Sequence, residues 1–487
     1  MNALPPLRKP LVGLGILVAG LAFSVLIHER LGRLAWTSAK AGWIAQGEPT
    51  DIATLACPPL DPGQSYFSRH PLLQAQVRFK PLPGGEPGEV IYDDAEAQHV
   101  LGSLVVPDWI RAHIGTFLPP TRTDFAGLAA DHALPEPDID PVGKLARHFA
   151  KDDDIFRTLI EAARLPAGHF GMIWDVEDIR DARTPHYPVW TRIARISSLR
   201  ARVALAQHRP DDAVAELTVI LRLAETLRGD PVLLAGMVQS TLRMIVLHVI
   251  WEGLESRSWN GEQLALLDRE LATWMPIEDL IRCYQGDRAL AVTLPDRKPS
   301  EEEWDRSNQL FGAIPRWPFR IPGMSYWTGA NLFRAQTRHC YFPLVTRDWR
   351  RIEAGRSLLR KLPDHDLHSL ETRRELPFYL SLTERSVDVA TYTLLARTAV
   401  ALERHFIAEE KYPDNLAALV PGYLASIPSD VMDNASLRYA LSPDRRYLLY
   451  SVGWNFEDDG GRRQDRSDLV WSYEIEGSPP RTGRGNR

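Results

Sequence analysis

The chain has 487 residues, 57 Lys and Arg against 63 Asp and Glu, a formal charge of −6, and 44% hydrophobic residues. This is an ordinary globular composition, long enough for two or three domains, and its interspersed charges offer no basic field for nucleic acid. Three cysteines, Cys57, Cys283 and Cys340, are too few and too widely separated for a disulfide framework or a cysteine-rich zinc site.

The strongest single signal lies in the first forty residues. LVGLGILVAGLAFSVLI, from Leu11 to Ile27, contains no charged residue and follows Arg8 and Lys9. As a helix this run rises about 25 Å, a little short of a ~30 Å hydrocarbon core, and Leu31, Leu34 and Trp36 extend it into the interface. We read residues 11–30 as an uncleaved transmembrane anchor behind a cytoplasmic stub at 1–10, with the lipid bilayer as partner. Ala39-Lys40-Ala41 has the residue types of a signal-peptidase site but stands too far downstream. Arg8 and Lys9 on one flank face Arg30, Arg33 and Lys40 on the other, so charge leaves the orientation open.

Residues 31–150 are loop-rich, broken by CPPLDPGQ, KPLPGGEPGE and FLPPTRTD. Between the breaks, AQVRFKPL reads as a strand and AEAQHVLGSLVVPDWIRAHIG as helical pieces split at Pro107. Residues 151–293 are more regular. Ile193, Ile196, Leu199 and Val203 recur at helical spacing within a helix expected from Tyr187 to His208. Pro210 and Asp211 open a second helix, from Asp212 to Leu227. A third follows Asp230 and Pro231 and carries Leu233, Met237, Leu242, Ile245 and Val249, and a fourth runs from Gly261 to Trp274. Short connections between them imply a bundle or a solenoid-like stack. ARVALAQHRPDDAVAELTVIL resembles one tetratricopeptide hairpin, without a second copy at a matching period.

Residues 294–376 form an aromatic and proline-rich connector. Trp304, Trp317 and Trp327 are candidates to line a sugar or peptide groove; the plainer reading is an irregular segment pinned to the body by its aromatics. Residues 377–476 form a last module. A helix is expected from Thr383 to Glu409 and stops before Pro413, and SLRYAL, RRYLLYSVG and SDLVWSYEI read as three strands of a small antiparallel sheet. Residues 477–487 read as a disordered tail. The expected fold is therefore mainly α, with an N-terminal transmembrane helix, a helical middle and a small α+β C-terminal domain.

SVGWNFEDDGG, Ser451 to Gly461, places two carboxylates before two glycines at a strand end. Adjacent Asp458 and Asp459 point to opposite sides of extended backbone, which makes a shared-proton dyad a poor fit. The chain has no G-x-S-x-G, H-E-x-x-H, P-loop or G-x-G-x-x-G. In DHDLH, His365 and His368 with Asp364 and Asp366 have metal-compatible chemistry but no defined third and fourth ligand, and a solvated connector is the better reading.

Tyr412-Pro413, Leu416, Leu419-Val420, Tyr423-Leu424, Pro428, Asp430, Leu437, Tyr439, Tyr450-Ser451-Val452-Gly453, Asp458-Asp459-Gly460-Gly461 and Asp468-Leu469-Val470-Trp471 fall in a spacing that resembles the globular domain of type II secretion major pseudopilins. The resemblance covers about the last hundred residues. The wider layout resembles planctomycete and verrucomicrobial single-span membrane-anchored proteins, from which no activity carries over. The pseudopilin likeness implies a calcium ion held by Asp458, Asp459 and Asp468, with Asp465 in reserve; Arg462, Arg463 and Arg466 are the alternative neutralising groups. It also implies a body on the periplasmic side of a bacterial inner membrane, with a protein partner in the envelope. Departures are Asp430-Val431-Met432 where Asp-Pro-aromatic is usual, Asn434 where glycine is usual, and an apolar segment without the processing glycine, Phe and glutamate spacing. The expectation is a binding or assembly role rather than catalysis, possible links to secretion included; the alternative is an envelope hydrolase of unfamiliar type acting on glycans or peptides.

Overall fold

The structure, a computed structural model, describes residues 8–55, 57, 65, 67, 70–74, 77–80, 89–92, 122–131, 140–166, 168, 186–292, 317–441, 446–462, 467–471 and 473. It is mainly helical, with a three-stranded antiparallel sheet near the C-terminus. The helical pieces expected over 95–115, Trp304, Arg463, Asp465, Arg466 and the tail at 477–487 lie outside the described residues.

Helix α1 spans Arg8–Ile44, so the expected anchor continues into the body without a break. A hairpin of β1 (Val77–Lys80) and β2 (Glu89–Tyr92) follows. Three short helices, α2 (Phe125–Asp131), α3 (Pro141–Phe149) and α4 (Asp153–Ala163), lead to the bundle. There α5 (His186–Ala206), α6 (Pro210–Thr226), α7 (Leu233–Glu255) and α8 (Gly261–Ala272) match the periodic runs closely. Their ends follow local chemistry: Pro210 at the first turn of α6, and at α8 a capping box in which Asn260 and Gln263 satisfy each other's backbone N–H. Next come α9 (Pro276–Ala291), α10 (Met324–Gln336), a π turn (Thr337–Tyr341), α11 (Phe342–Thr346) and α12 (Arg350–Lys361). The long helix α13 occupies Leu370–Glu409, starting well before the expected Thr383. Pro377 sits inside it and is exposed, while Leu376 and Leu380 on either side are buried, so packing carries the helix through the proline.

Two apolar cores result, and α13 belongs to both. Its C-terminal half, with Leu395, Ala399 and Leu402, joins α4 to α8 and the sheet around Trp190, Leu217 and Trp251. Its N-terminal half, with Leu376, Leu380 and Val387, joins a second core built from Trp36 and Trp43 of α1, Tyr284 of α9, Phe333 of α10 and Tyr341. Within the second core the buried Arg288 guanidinium faces the rings of Trp43, Phe333 and Tyr341 at 4.8, 4.3 and 5.8 Å, and donates to Thr337 Oγ1 and the Phe333 carbonyl. Burial lowers its pKa to about 10.

Helices α1 and α7 differ in where their apolar side chains go. Among the described residues, α7 is the helix long and apolar enough to cross a membrane, yet its apolar window is 72% buried, as befits the centre of a bundle. The apolar run of α1 begins at Leu11, partly outside the described side chains. Leu14, Ile16, Leu17, Val18, Leu21, Phe23 and Leu26 are exposed, Ile16 and Leu21 at 69% and Phe23 at 64%. Beyond Ile27 the helix docks along α10. Backbone meets backbone at this contact: Gly323 has φ +85°, and a Cβ there would lie 2.5 Å from Glu29 Cα.

Strands β3 (Arg438–Leu441), β4 (Tyr447–Ser451) and β5 (Leu469–Trp471) pair in that order, antiparallel throughout, and β4 and β5 pack on α13. At this junction Glu403 of α13 is 5% exposed and accepts from Tyr412 Oη at 2.7 Å, while Tyr447 and Tyr473 bond through their hydroxyls at 2.7 Å. Burial raises the Glu403 carboxyl from 4.5 to about 7. The folded state thus holds this proton more tightly than the unfolded chain. Its contribution to stability is complete below about pH 4.5 and is lost as pH rises through about 7. Glu403→Gln, which keeps an acceptor for Tyr412, is therefore expected to raise the melting temperature at about pH 8 and to flatten its fall between about pH 4.5 and 7. Parallel native and variant profiles across that window would contradict the assignment.

Candidate functional site

The acidic segment is the turn that leaves β4. Val452 and Gly453 start it, Gly453 with φ +62° and no room for a side chain, since a Cβ would lie 2.0 Å from the Ser467 carbonyl oxygen. Asp468 closes it from the far side. Only 4% exposed, it accepts the Asp459 N–H on Oδ1 at 3.3 Å and the Gly461 N–H on Oδ2 at 2.6 Å. Asp458 Oδ1 accepts the Gly460 N–H at 3.0 Å and the Tyr450 hydroxyl at 2.9 Å, and Asp459 Oδ2 accepts from Asn455 Nδ2 at 2.6 Å. The three predicted residues are thus brought together, as acceptors that shape one turn. Burial raises the Asp468 pKa against the lowering effect of its two N–H donors, and the charges of Asp459 and Asp458 push the same way as burial.

The nearest described cation is on β3. Arg438 Nε stands 3.7 Å from Asp458 Oδ2, and the same side chain bonds Asp433 at 2.5 Å and Asp430 at 3.0 Å. Asp430 is the buried centre of the module. Its Oδ1 accepts from the Met432 N–H at 2.9 Å and Ser451 Oγ at 2.7 Å, and its Oδ2 from the Val452 N–H at 3.1 Å and Arg438. Burial raises its pKa in spite of these donors. The chain reverses after it because Asn434 takes φ +61°, a left-handed conformation that asparagine tolerates, so this departure from glycine preserves the turn. Trp454 Nε1 donates to Asp388 of α13 at 2.7 Å and Trp349 Nε1 to the Val431 carbonyl at 2.8 Å, which fasten the turn to the helical body.

No family model, curated protein or solved structure matches the chain. Among the described residues no group of three or more His, Cys, Asp or Glu side chains is spaced to hold a metal ion.

The aromatic candidates do not form one described site. Trp304 lies outside the described residues, and Trp317 opens a 3-10 turn, Trp317–Arg320, with its side chain outside the description. Trp327 is half-buried against α1, donating Nε1–H to the His28 carbonyl at 3.3 Å, with its ring 6.3 Å from that of His28 and 5.2 Å from that of His368. Arg33 of α1 covers the neighbouring Tyr326 ring at 4.7 Å. These two aromatics pin the connector to α1. The residue that sequence reasoning missed is His28, whose ring meets His368 from 340 positions away, a contact with no local signal.

Proposed function

We propose that the chain is a single-pass protein of the bacterial inner membrane that presents its body on the periplasmic side and acts by binding or assembly. The observation that carries the reading is α1: one continuous helix whose uncharged stretch from Leu11 to Ile27 exposes Leu14, Ile16, Leu17, Val18, Leu21, Phe23 and Leu26, while its second half is built into a protein core. Apolar side chains exposed along a helix of this length are stable in lipid and costly in water. Because the helix continues unbroken into the second core, the body would be held rigidly at the membrane rather than tethered.

The assembly role and the envelope partner rest on the pseudopilin likeness. Supporting it is a long helix followed, after a 3-10 turn at Leu416–Leu419, by a three-stranded antiparallel sheet that packs on that helix. Against filament formation, the apolar segment is a separate helix at the other end of the chain. The glycan or peptide hydrolase has less support, since Trp327 is engaged in packing. Calcium at Asp458, Asp459 and Asp468 is proposed from the likeness and the acidic composition; the ion would compete with N–H donors for Asp468 and Asp458 Oδ1.

Alkaline carbonate washing of membranes should leave the full chain in the pellet, and alkaline phosphatase fused after the last residue should be active. Release by carbonate would overturn the anchor, and an inactive fusion the orientation. For calcium, the expected result is a higher melting temperature in calcium than in chelator, abolished by Asp459→Ala; equal melting removes the ion from the proposal.

A further inference from the structure

The apolar run of α1 ends at Ile27, and two loops of the body close on the helix within its next turns. One loop is residues 317–323, which lead through the turn Trp317–Arg320 into α10. His28 Nδ1–H donates to the Pro322 carbonyl at 2.7 Å, and the Gly323 backbone abuts Glu29 and Gly32. The other loop is residues 362–368, between α12 and α13. With Nδ1 carrying the hydrogen, His28 Nε2 accepts from His368 Nε2–H at 3.0 Å, an ordinary hydrogen bond between neutral rings. Arg373 of α13 staples this second loop by donating to the carbonyls of Pro363, Asp364 and Asp366.

Helical rise sets the height of both loops. The apolar run rises about 25 Å against a hydrocarbon core of ~30 Å and a bilayer of about 40–45 Å with its headgroups. The two turns of α1 beyond Ile27, about 10 Å long, therefore carry the chain out of the core and through one headgroup layer. His28, Glu29 and Gly32, where the loops touch, all fall within those turns. From this level the body rises away. The Tyr284 hydroxyl meets Tyr379 and Thr383 of α13, the Tyr284 ring faces Tyr341, and Tyr341 faces Trp43, so α13 runs beside α1 in the same direction. Its 40 residues carry its far end about 60 Å off.

We propose that residues 317–323 and 362–368 form a seat on the surface of an anionic phospholipid bilayer, where Arg30, Arg320 and Lys361 bind headgroup phosphates. The proposal rests on the reading of α1 as a membrane anchor and adds that the body itself touches lipid. The exposed chemistry fits: Arg30, Arg320 and Lys361 are exposed against one exposed acid on these loops, Asp364, while Arg33 is paired with Glu29 at 3.0 Å. Ile321 and Leu362 are half-buried and Pro322 and Pro363 exposed, apolar groups suited to the layer between headgroup and chain. Cations attract an anionic surface only within about a Debye length, which these loops satisfy by position. A protein partner would have to displace headgroups to reach the same surface, whereas lipid is continuous with the exposed apolar face of α1. Such a seat fixes the height of the rest of the body. Trp454 joins the acidic turn to Asp388, which stands about 30 Å along α13 from the seat.

The test uses the full-length chain in nanodiscs of phosphatidylcholine and phosphatidylglycerol, carrying Cys57→Ser because Cys283 and Cys340 are buried and Cys57 is not. Nitroxide labels on Leu17→Cys, Ile321→Cys, Asp364→Cys and Glu410→Cys, one at a time, are ranked by collision with oxygen and with an aqueous nickel chelate. Expected are Leu17 in hydrocarbon, Ile321 and Asp364 at headgroup depth, and Glu410 in water. A water-exposed Leu17 would overturn the anchor itself. Leu17 in hydrocarbon, with Ile321 and Asp364 as open to nickel as Glu410, would overturn the seat and leave the anchor standing. The phosphate contacts have their own readout: spin-labelled phosphatidylglycerol should be preferred several-fold over phosphatidylcholine beside the protein, and combined Arg30→Gln, Arg320→Gln and Lys361→Gln should remove most of that preference. All three side chains are exposed, so this variant should melt as the native chain does, and the depth labels do not depend on it. A preference unchanged by the three substitutions would overturn the assignment of these cations.

Discussion

Replacing Asp430 with alanine is expected to destabilise the protein by about 3–5 kcal/mol, the cost of removing one partner from a buried charge pair. Its side chain is fully buried and holds four donors: two backbone N–H groups, the Ser451 hydroxyl and Arg438. Alanine leaves the two N–H groups and the hydroxyl without an acceptor in a place water does not reach, at about 1–3 kcal/mol each if nothing relaxes. Arg438 is 19% exposed and keeps Asp433, so its share is the smaller. Asp430→Asn retains one acceptor oxygen and should lose markedly less. Denaturant unfolding followed by tryptophan fluorescence reads the effect, because Trp454 and Trp349 both bond to this corner. A loss below about 1 kcal/mol for the alanine variant would show that the turn is held elsewhere.

The second large effect is expected at Trp43. Only 2% exposed, it packs edge-on to Phe333 and Tyr341, covers the Arg288 guanidinium at 4.8 Å and donates Nε1–H to the Pro49 carbonyl at 2.9 Å. Trp43→Ala should cost about 3–5 kcal/mol through the cavity it leaves, with the bared guanidinium adding to that. The loss should be local as well as global. Glu48, bonded to Tyr341 at 2.5 Å and Gln285 at 2.9 Å, follows Trp43 closely in sequence, so the end of α1 should become open to proteolysis. Trp43→Phe keeps an aromatic face toward Arg288 and should fall between the two. Native-like melting and protease resistance in Trp43→Ala would mean that α1 docks without this core.

Both sites show why the C-terminal module is not an independent cap. Met432, Val452 and Trp454, on the inner side of the acidic turn, belong to the same core as Trp36 and Trp43 near the opposite end of the chain. Calcium, a partner or a mutation acting on the turn therefore acts on the core that holds α1. The helix α13 is the physical link, since its two halves sit in the two cores.

The local grammar of the chain was sufficient for α5 to α8 and for β3 to β5. Apolar residues at helical spacing, Pro210 at a first turn, Asn260 with Gln263, and strand-forming Leu, Tyr and Val are signals carried within a few residues. The uncharged run from Leu11 to Ile27 and the grouping of Asp458, Asp459 and Asp468 were legible on the same terms. Other features were decided by packing between distant segments. The docking of α1 beyond Ile27, the early start of α13 across Pro377, and the placing of Arg438 beside Asp458 each depend on what a second element brings to the contact. The meeting of His28 and His368 is the extreme case: DHDLH holds half of a pair whose other half lies on the first helix. Periodicity and capping energies act over one or two turns and so are written in the sequence, whereas a hydrogen-bonded histidine pair or a buried carboxylate's partners exist only once burial has set which surfaces face each other.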